Sequence, residues 1–178
     1  AVTELNRVLE VAGAASGATV GVSNYHHDRL SPLRSSDLLY AADNPEDNPF
    51  FGYFDPELSG RIERDDIRTI GISLNYLSQA LTAFAMAGYI RRRFPPTRIV
   101  MGGGLVTSWL RNPAWKNPFG GLIDHLIAGP GEGPLLSFLG IGEPGDQLIR
   151  PDYRPFPAAD YLSPGFILPY SASGGCDW

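Results

Sequence analysis

Between Ile67 and Gly104 the chain alternates between short apolar runs and one long periodic stretch. Ile67-Arg68-Thr69-Ile70-Gly71-Ile72-Ser73-Leu74 is rich in β-branched residues and suits a strand buried on both faces. After the polar corner Asn75-Tyr76, the residues Leu77, Leu81, Phe84 and Gly88 recur at helical spacing, with Ala80, Ala83 and Ala87 beside them. That spacing predicts a helix with one packing face, running to about Arg93 and stopped by Pro95-Pro96. Arg98-Ile99-Val100-Met101 is a second compact apolar run, ended by Gly102-Gly103-Gly104. Together these segments predict a strand, crossover helix and parallel strand, with the right-handed connection such units adopt.

The flanking sequence repeats the device less clearly. Leu5, Val8, Leu9 and Ala12 lie on one helical stripe, with Gly13 and Gly17 where that helix should stop, and Thr19-Val20-Gly21-Val22-Ser23 reads as a strand. An α/β sheet normally opens on a strand, so an upstream strand is expected outside the sequence given. From Tyr25 to Gly60 the pattern predicts a long ordered loop with a short helix near Asp37. Within it Phe50, Phe51, Tyr53 and Phe54 form an aromatic group, either a lid on the core or a ligand platform. Leu105 to about Leu110 predicts a short helix cut off by Asn112-Pro113. Residues 122–128 form a strand interrupted by Asp124 and His125, and the glycine-rich turn 129–133 leads into a helix through Leu139 with Pro134 in its first turn. The expected fold is α/β, an open, mostly parallel sheet of flavodoxin-like or Rossmann-like type with helices on both faces. Its strands lie near 19–23, 67–74, 98–102 and 122–128. This domain covers 1–141, and a Pro-, Gly- and Asp-rich extended linker follows over 142–165.

With 178 residues and 43% apolar content, the chain can bury the core of one ordinary domain plus a tail. A net charge of −5 argues against a nucleic-acid partner, and Arg91-Arg92-Arg93 is explained by the macrodipole at a helix C-terminus. No apolar run approaches the roughly 18 residues that span a bilayer, and Ala1-Val2-Thr3-Glu4 does not open like a signal peptide; no membrane partner and a cytoplasmic location are expected. One cysteine allows no internal disulfide.

In an open parallel sheet, ligands bind outside the carboxyl ends of the strands. Those ends should carry Tyr25-His26-His27, Ser73-Leu74-Asn75-Tyr76, Gly102-Gly103-Gly104 and residues 129–133, either as a shared ligand rim or only as tight turns. Other chemistry finds little support. The dinucleotide pattern fails at Thr107 and at Pro134, and no lysine completes a Walker loop. His26-His27 beside Asp28 reads as a solvated loop, since adjacent histidines point apart in an extended chain, and His125 as a hydrogen-bonded residue at the sheet margin. No nucleophile elbow is present.

As a set, Ile70-Gly71-Ile72-Ser73-Leu74-Asn75-Tyr76, Ile99-Val100-Met101-Gly102-Gly103-Gly104 and residues 123–133 resemble the cobalamin-binding-like domain that precedes the barrel of many radical S-adenosylmethionine enzymes. The ending, Asp152-Tyr153, Asp160-Tyr161, then Ile167-Leu168-Pro169-Tyr170 to Gly174-Gly175-Cys176, resembles that family's linker and first barrel strand. Residues 166–178 would then be the start of the barrel, ending inside its Cys-x-x-x-Cys-x-x-Cys motif. The resemblance is good from Ile67 to Trp178 and loose before it. It implies a [4Fe–4S] cluster and S-adenosylmethionine in a longer enzyme, with Cys176 the first cluster ligand; alternatively Cys176 is a free thiol. It also implies that this fragment holds no cluster and is not itself catalytic, and that its partners are its own C-terminal barrel and a small-molecule cofactor or substrate.

The Asp-x-His-x-x-Gly loop of histidine-ligated cobalamin proteins is absent. Any cobalamin is therefore expected base-off, without a protein histidine ligand. The resemblance places Ser73, Asn75 and Tyr76 beneath the corrin ring, Gly102, Gly103 and Gly104 beside its tail, and Gly131, Glu132 and Gly133 at the rim. Two alternatives stand beside it: a cofactor-free docking or substrate-recruiting domain of the same parent protein, and an unrelated doubly wound nucleotide or flavin module, which the failed glycine patterns disfavour.

Overall fold

The computed structural model of the chain describes residues 2–142, which lie within one unit, Ala1–Glu143. In chain order its elements are α1 (Val2–Ala14), β1 (Ala18–Val20), β2 (Tyr25–His27), α2 (Ser35–Asp43), a 3₁₀ turn (Pro45–Asp47), α3 (Phe51–Arg64), β3 (Thr69–Ser73), α4 (Leu77–Arg93), β4 (Arg98–Gly102), α5 (Gly104–Arg111), β5 (His125–Leu126) and α6 (Glu132–Leu139). The fold is mixed α/β. Its parallel sheet has the order β3-β4-β5, with Ser73 beside Gly102 and Met101 beside Leu126.

The predicted βαβ unit is present and carries the core. Along α4, Ala80, Leu81, Ala83, Phe84, Ala87, Gly88 and Ile90 are buried, facing Leu74, Ile99 and Met101, which are inaccessible to solvent. The opposite face of the sheet, with Gly71, Ser73, Val100 and Gly102 by strand alternation, is covered only in part. Over β4 and β5, Phe138 of α6 stacks on His125 (5.4 Å between ring centroids) and lies under the Arg98 guanidinium (4.6 Å). Gly71 and Ser73 on β3 remain exposed. His125 thus sits at the sheet margin as a stacked ring.

The segment near residues 19–23 does not join this sheet. It forms β1, paired antiparallel with β2 in a separate two-stranded sheet, Ala18 opposite His27 and Val20 opposite Tyr25. The reason is connection length, because only Gly21-Val22-Ser23-Asn24 separates the strands, which is a hairpin turn and too short for a parallel crossover. Gly21 N–H donates to the Asn24 carbonyl (2.8 Å), and Val22 N–H to Asn6 Oδ1 on α1 (2.8 Å), anchoring the turn. Tyr25-His26-His27 is therefore strand, not a rim loop, and His27 is buried rather than solvated.

The expected long loop from Tyr25 to Gly60 also contains more structure than its composition suggested. It holds β2, α2 and all but the end of α3. Gly52, Pro56 and Gly60 suppress the helical signal of α3, yet Phe54 and Ile62 are buried and tertiary packing outweighs weak propensity. Phe50, Phe51 and Phe54 form edge-to-face contacts with Tyr25, with one another and with Tyr89, at 5.4–6.0 Å, so three of the four aromatics do line the core; Tyr53 is 74% exposed. The arginine cluster is more than a dipole complement: Arg91, Arg92 and Arg93 pair with Asp124, Glu46 and Glu63 at 2.5, 3.1 and 3.6 Å.

Residues 122–128 bridge to β4 as a strand only at His125–Leu126. Asp124 accounts for the interruption, since its Oδ2 accepts both the Ile99 N–H (2.7 Å) and the Arg91 guanidinium. Its burial pushes the carboxyl pKa up, but the Ile99 hydrogen bond and Arg91 outweigh this and hold it below the usual value. Among the described residues no helix is long and apolar enough to cross a membrane.

His27 gives this half of the molecule a pH dependence. Its Nδ1 accepts the N–H groups of Arg29 (3.1 Å) and Leu30 (3.0 Å), which fixes the neutral tautomer with the proton on Nε2. Burial lowers its pKa from 6.5, and the Arg29 charge adds to this against the opposing effect of Asp28. The folded pKa lies below the unfolded one, so the stabilisation is present above about pH 6.5 and lost as pH falls through the folded value. The midpoint of thermal unfolding should fall between pH 7.5 and 5 by more in the native chain than in His27→Gln, whereas equal slopes would remove His27 from the account.

Candidate functional site

The carboxyl ends of β3, β4 and β5 converge as parallel pairing requires. Leu74 extends the ladder by donating its N–H to the Gly102 carbonyl (2.7 Å), and Leu105 N–H returns a bond to the Leu74 carbonyl (3.2 Å). Asn75 clips the two loops together: its Nδ2 donates to Ser73 Oγ (3.1 Å) and its Oδ1 accepts the Gly104 N–H (2.9 Å). Gln79 Oε1 accepts the N–H groups of both Asn75 and Tyr76, each at 3.1 Å, closing the first turn of α4.

The third loop is tied in by Thr107. Its hydroxyl donates to the Gly103 carbonyl and accepts the Gly129 N–H, both at 2.9 Å. The side chain that breaks the dinucleotide pattern is thus the cross-link between two rim turns. Two rim glycines have positive φ, Gly129 at +71° and Gly103, and at Gly103 space as well as conformation excludes a side chain. The Gly103 φ is +104°, and a Cβ there would stand 2.5 Å from the Leu74 carbonyl oxygen.

A half-open cavity of about 530 Å³ lies at this rim. Its floor is the sheet face of Gly71 and Ser73, both exposed, with Gly102 and the buried Val100 and Ile127, and its wall is Gly129–Glu132 with Leu135. A Cβ on Gly71 would meet nothing within 4 Å, so the floor is flat and open there. Of the residues expected to bind, Ser73, Gly102, Gly103, Gly131 and Glu132 line the cavity. Asn75, Tyr76, Gly104 and Gly133 stand outside its lining: Asn75 and Gly104 are occupied with each other, and Tyr76 is 69% exposed. Gly71, Val100, Ile127 and Leu135 were missed, although strand alternation through Ser73 pointed to Gly71.

The electrostatics are those of a site for neutral or polar groups. Glu132 opens α6 with a carboxylate at the helix N-terminus, where it competes with any anionic ligand for the unpaired N–H groups. His26 and His27 lie on the separate hairpin. Among the described residues no group of three or more His, Cys, Asp or Glu is placed to hold a metal ion. The linker, residues 166–178 and Cys176 lie outside the described residues.

Comparisons with protein-family models, with curated proteins and with solved structures find no match.

Proposed function

We propose that the chain is the flavodoxin-like, cobalamin-binding-like region of a cytoplasmic radical S-adenosylmethionine enzyme, and that the rim of its parallel sheet takes a corrin or an equivalent planar cofactor. The observation that carries this reading is the open floor of Gly71, Ser73 and Gly102 beside a glycine-rich wall at the strand ends. A flat macrocycle needs such a surface. The residues fit it: small side chains beneath, apolar contacts from Val100, Ile127 and Leu135, and polar groups from the Ser73 hydroxyl and the N–H groups of Gly131 and Glu132. Among the described residues no histidine lines the cavity, which favours a base-off form without a protein ligand to cobalt.

When bound, the cofactors would supply the reaction's chemistry, cobalt from the corrin and the radical from a cluster with S-adenosylmethionine. In this reading Cys176 is one of three cluster thiolates, the other two coming from a longer chain. A cofactor-free docking domain is the second reading, favoured by the full engagement of Asn75 within the fold. Absorbance separates them. Hydroxocobalamin added to the purified chain should convert in part to a base-off spectrum and remain with the protein through gel filtration. An unchanged spectrum with no retained corrin would favour the docking domain.

A further inference from the structure

A larger cavity, about 620 Å³, lies away from the rim, between the β1–β2 hairpin, α2 and the 3₁₀ turn. It is within the range that accommodates a small molecule. Its apolar lining comes from Tyr25, Leu30, Ala41 and Leu81, of which Ala41 and Leu81 are buried at 6% and 3% exposure.

The polar groups divide by element. On the hairpin side stands His27, 8% exposed, whose Nδ1 is consumed by two backbone N–H groups. Its Nε2 therefore carries a proton and, among the described residues, has no acceptor in the fold. Among the described residues no buried side-chain nitrogen or oxygen lacks a partner, so this Nε2 is open to the cavity, where it can donate to an acceptor that a ligand brings. Beside it are the Tyr25 phenol, whose pKa burial raises to about 12 and which thus stays a donor, and Arg29. Across the cavity the 3₁₀ turn presents carboxylates. Glu46 shares its charge with Arg92 (3.1 Å), whereas Asp47 accepts among the described residues only the Tyr40 hydroxyl (3.3 Å).

We propose that this cavity binds a free zwitterionic α-amino acid with an apolar side chain: its carboxylate toward His27, Tyr25 and Arg29, its ammonium toward Asp47, its side chain on Leu30, Ala41 and Leu81. Competing chemistries fit less well. A metal would need a third ligand, and none is placed to serve. A polyphosphate would meet two carboxylates with one arginine. An uncharged apolar molecule would exclude water from the His27 donor without replacing its hydrogen bond.

The test is titration of the whole chain with L-phenylalanine, followed by backbone amide resonances. Saturable shifts are expected at residues 25–30 and 44–48. N-Acetyl-L-phenylalanine and L-phenylalaninamide, each lacking one charge, should bind about tenfold more weakly or worse. Asp47→Asn, at an exposed position that leaves the core intact, should weaken L-phenylalanine by a similar factor without changing the thermal midpoint. His27→Gln adds a second probe on the opposite wall. Absence of saturable shifts with L-phenylalanine, equal binding of the acetylated compound, or shifts confined to the rim of the parallel sheet would each overturn the proposal.

Discussion

Gly88→Ala is expected to unfold the domain. In an isolated helix the change would be favourable by about 1 kcal/mol, because alanine loses less backbone entropy than glycine. Here α2 crosses α4 in backbone contact, and the added Cβ would stand 1.9 Å from the Ala42 carbonyl oxygen and 2.5 Å from its carbon. Nothing flexible is available to yield, since Ala41 and Ala42 are buried and the next residues lead into the 3₁₀ turn packed on α4. Separating the helices would open the contact between α2 and the buried stripe of α4. The overpacking cost, about 3 kcal/mol or more, exceeds the propensity gain and is a large fraction of the roughly 5–15 kcal/mol that holds a domain together. Urea titration followed by circular dichroism should show a greatly lowered midpoint or no folded baseline. An unchanged or raised midpoint would mean that the two helices are not in backbone contact.

Gly103→Ala is expected to damage the rim more than the core. At φ +104° and ψ 177° the backbone lies where residues with a side chain are strained, at a cost of about 1–3 kcal/mol before any clash. The new Cβ would also press on the Leu74 carbonyl and stand 2.9 Å from Asn75 Oδ1, the atom that accepts the Gly104 N–H. The clip between the first two rim loops should open and the proposed corrin binding should be lost, with a moderate fall in stability. Gly104→Ala is the matched control, because it stands outside the cavity lining and its Cβ would make only ordinary contacts with Asn75, at 3.7 and 3.8 Å. Equal effects of the two substitutions on ligand binding would refute a special role for the Gly103 turn.

The parts of this fold that were legible in the sequence are those in which one short segment carries its own instructions. The stripe Leu77, Leu81, Phe84, Gly88 and the apolar run before Gly102 specify α4 and β4 without reference to the rest of the chain. The orientation of β1 was not legible in the same way, because a five-residue apolar run does not say which neighbour it will pair with; the short turn at Gly21–Asn24 decided that. Helix α3 was hidden by Gly52, Pro56 and Gly60 and formed by the burial of Phe54 and Ile62 against distant residues. At the rim, the glycines marked the turns but not their purposes. Gly103 answers to backbone conformation, Gly71 to an open floor, and the role of Asn75 rests on Gly104, far along the chain.

The most direct measurement for the rim as a corrin site is a titration of the labelled chain with hydroxocobalamin, read residue by residue from backbone amide resonances. Saturable changes are predicted at Gly71, Ser73, Gly102 and Gly129 to Glu132, with the hairpin residues Tyr25 to His27 unaffected. Saturable changes confined to the hairpin, or none at the strand ends while the protein remains folded, would contradict the assignment of the parallel-sheet rim as the cofactor surface.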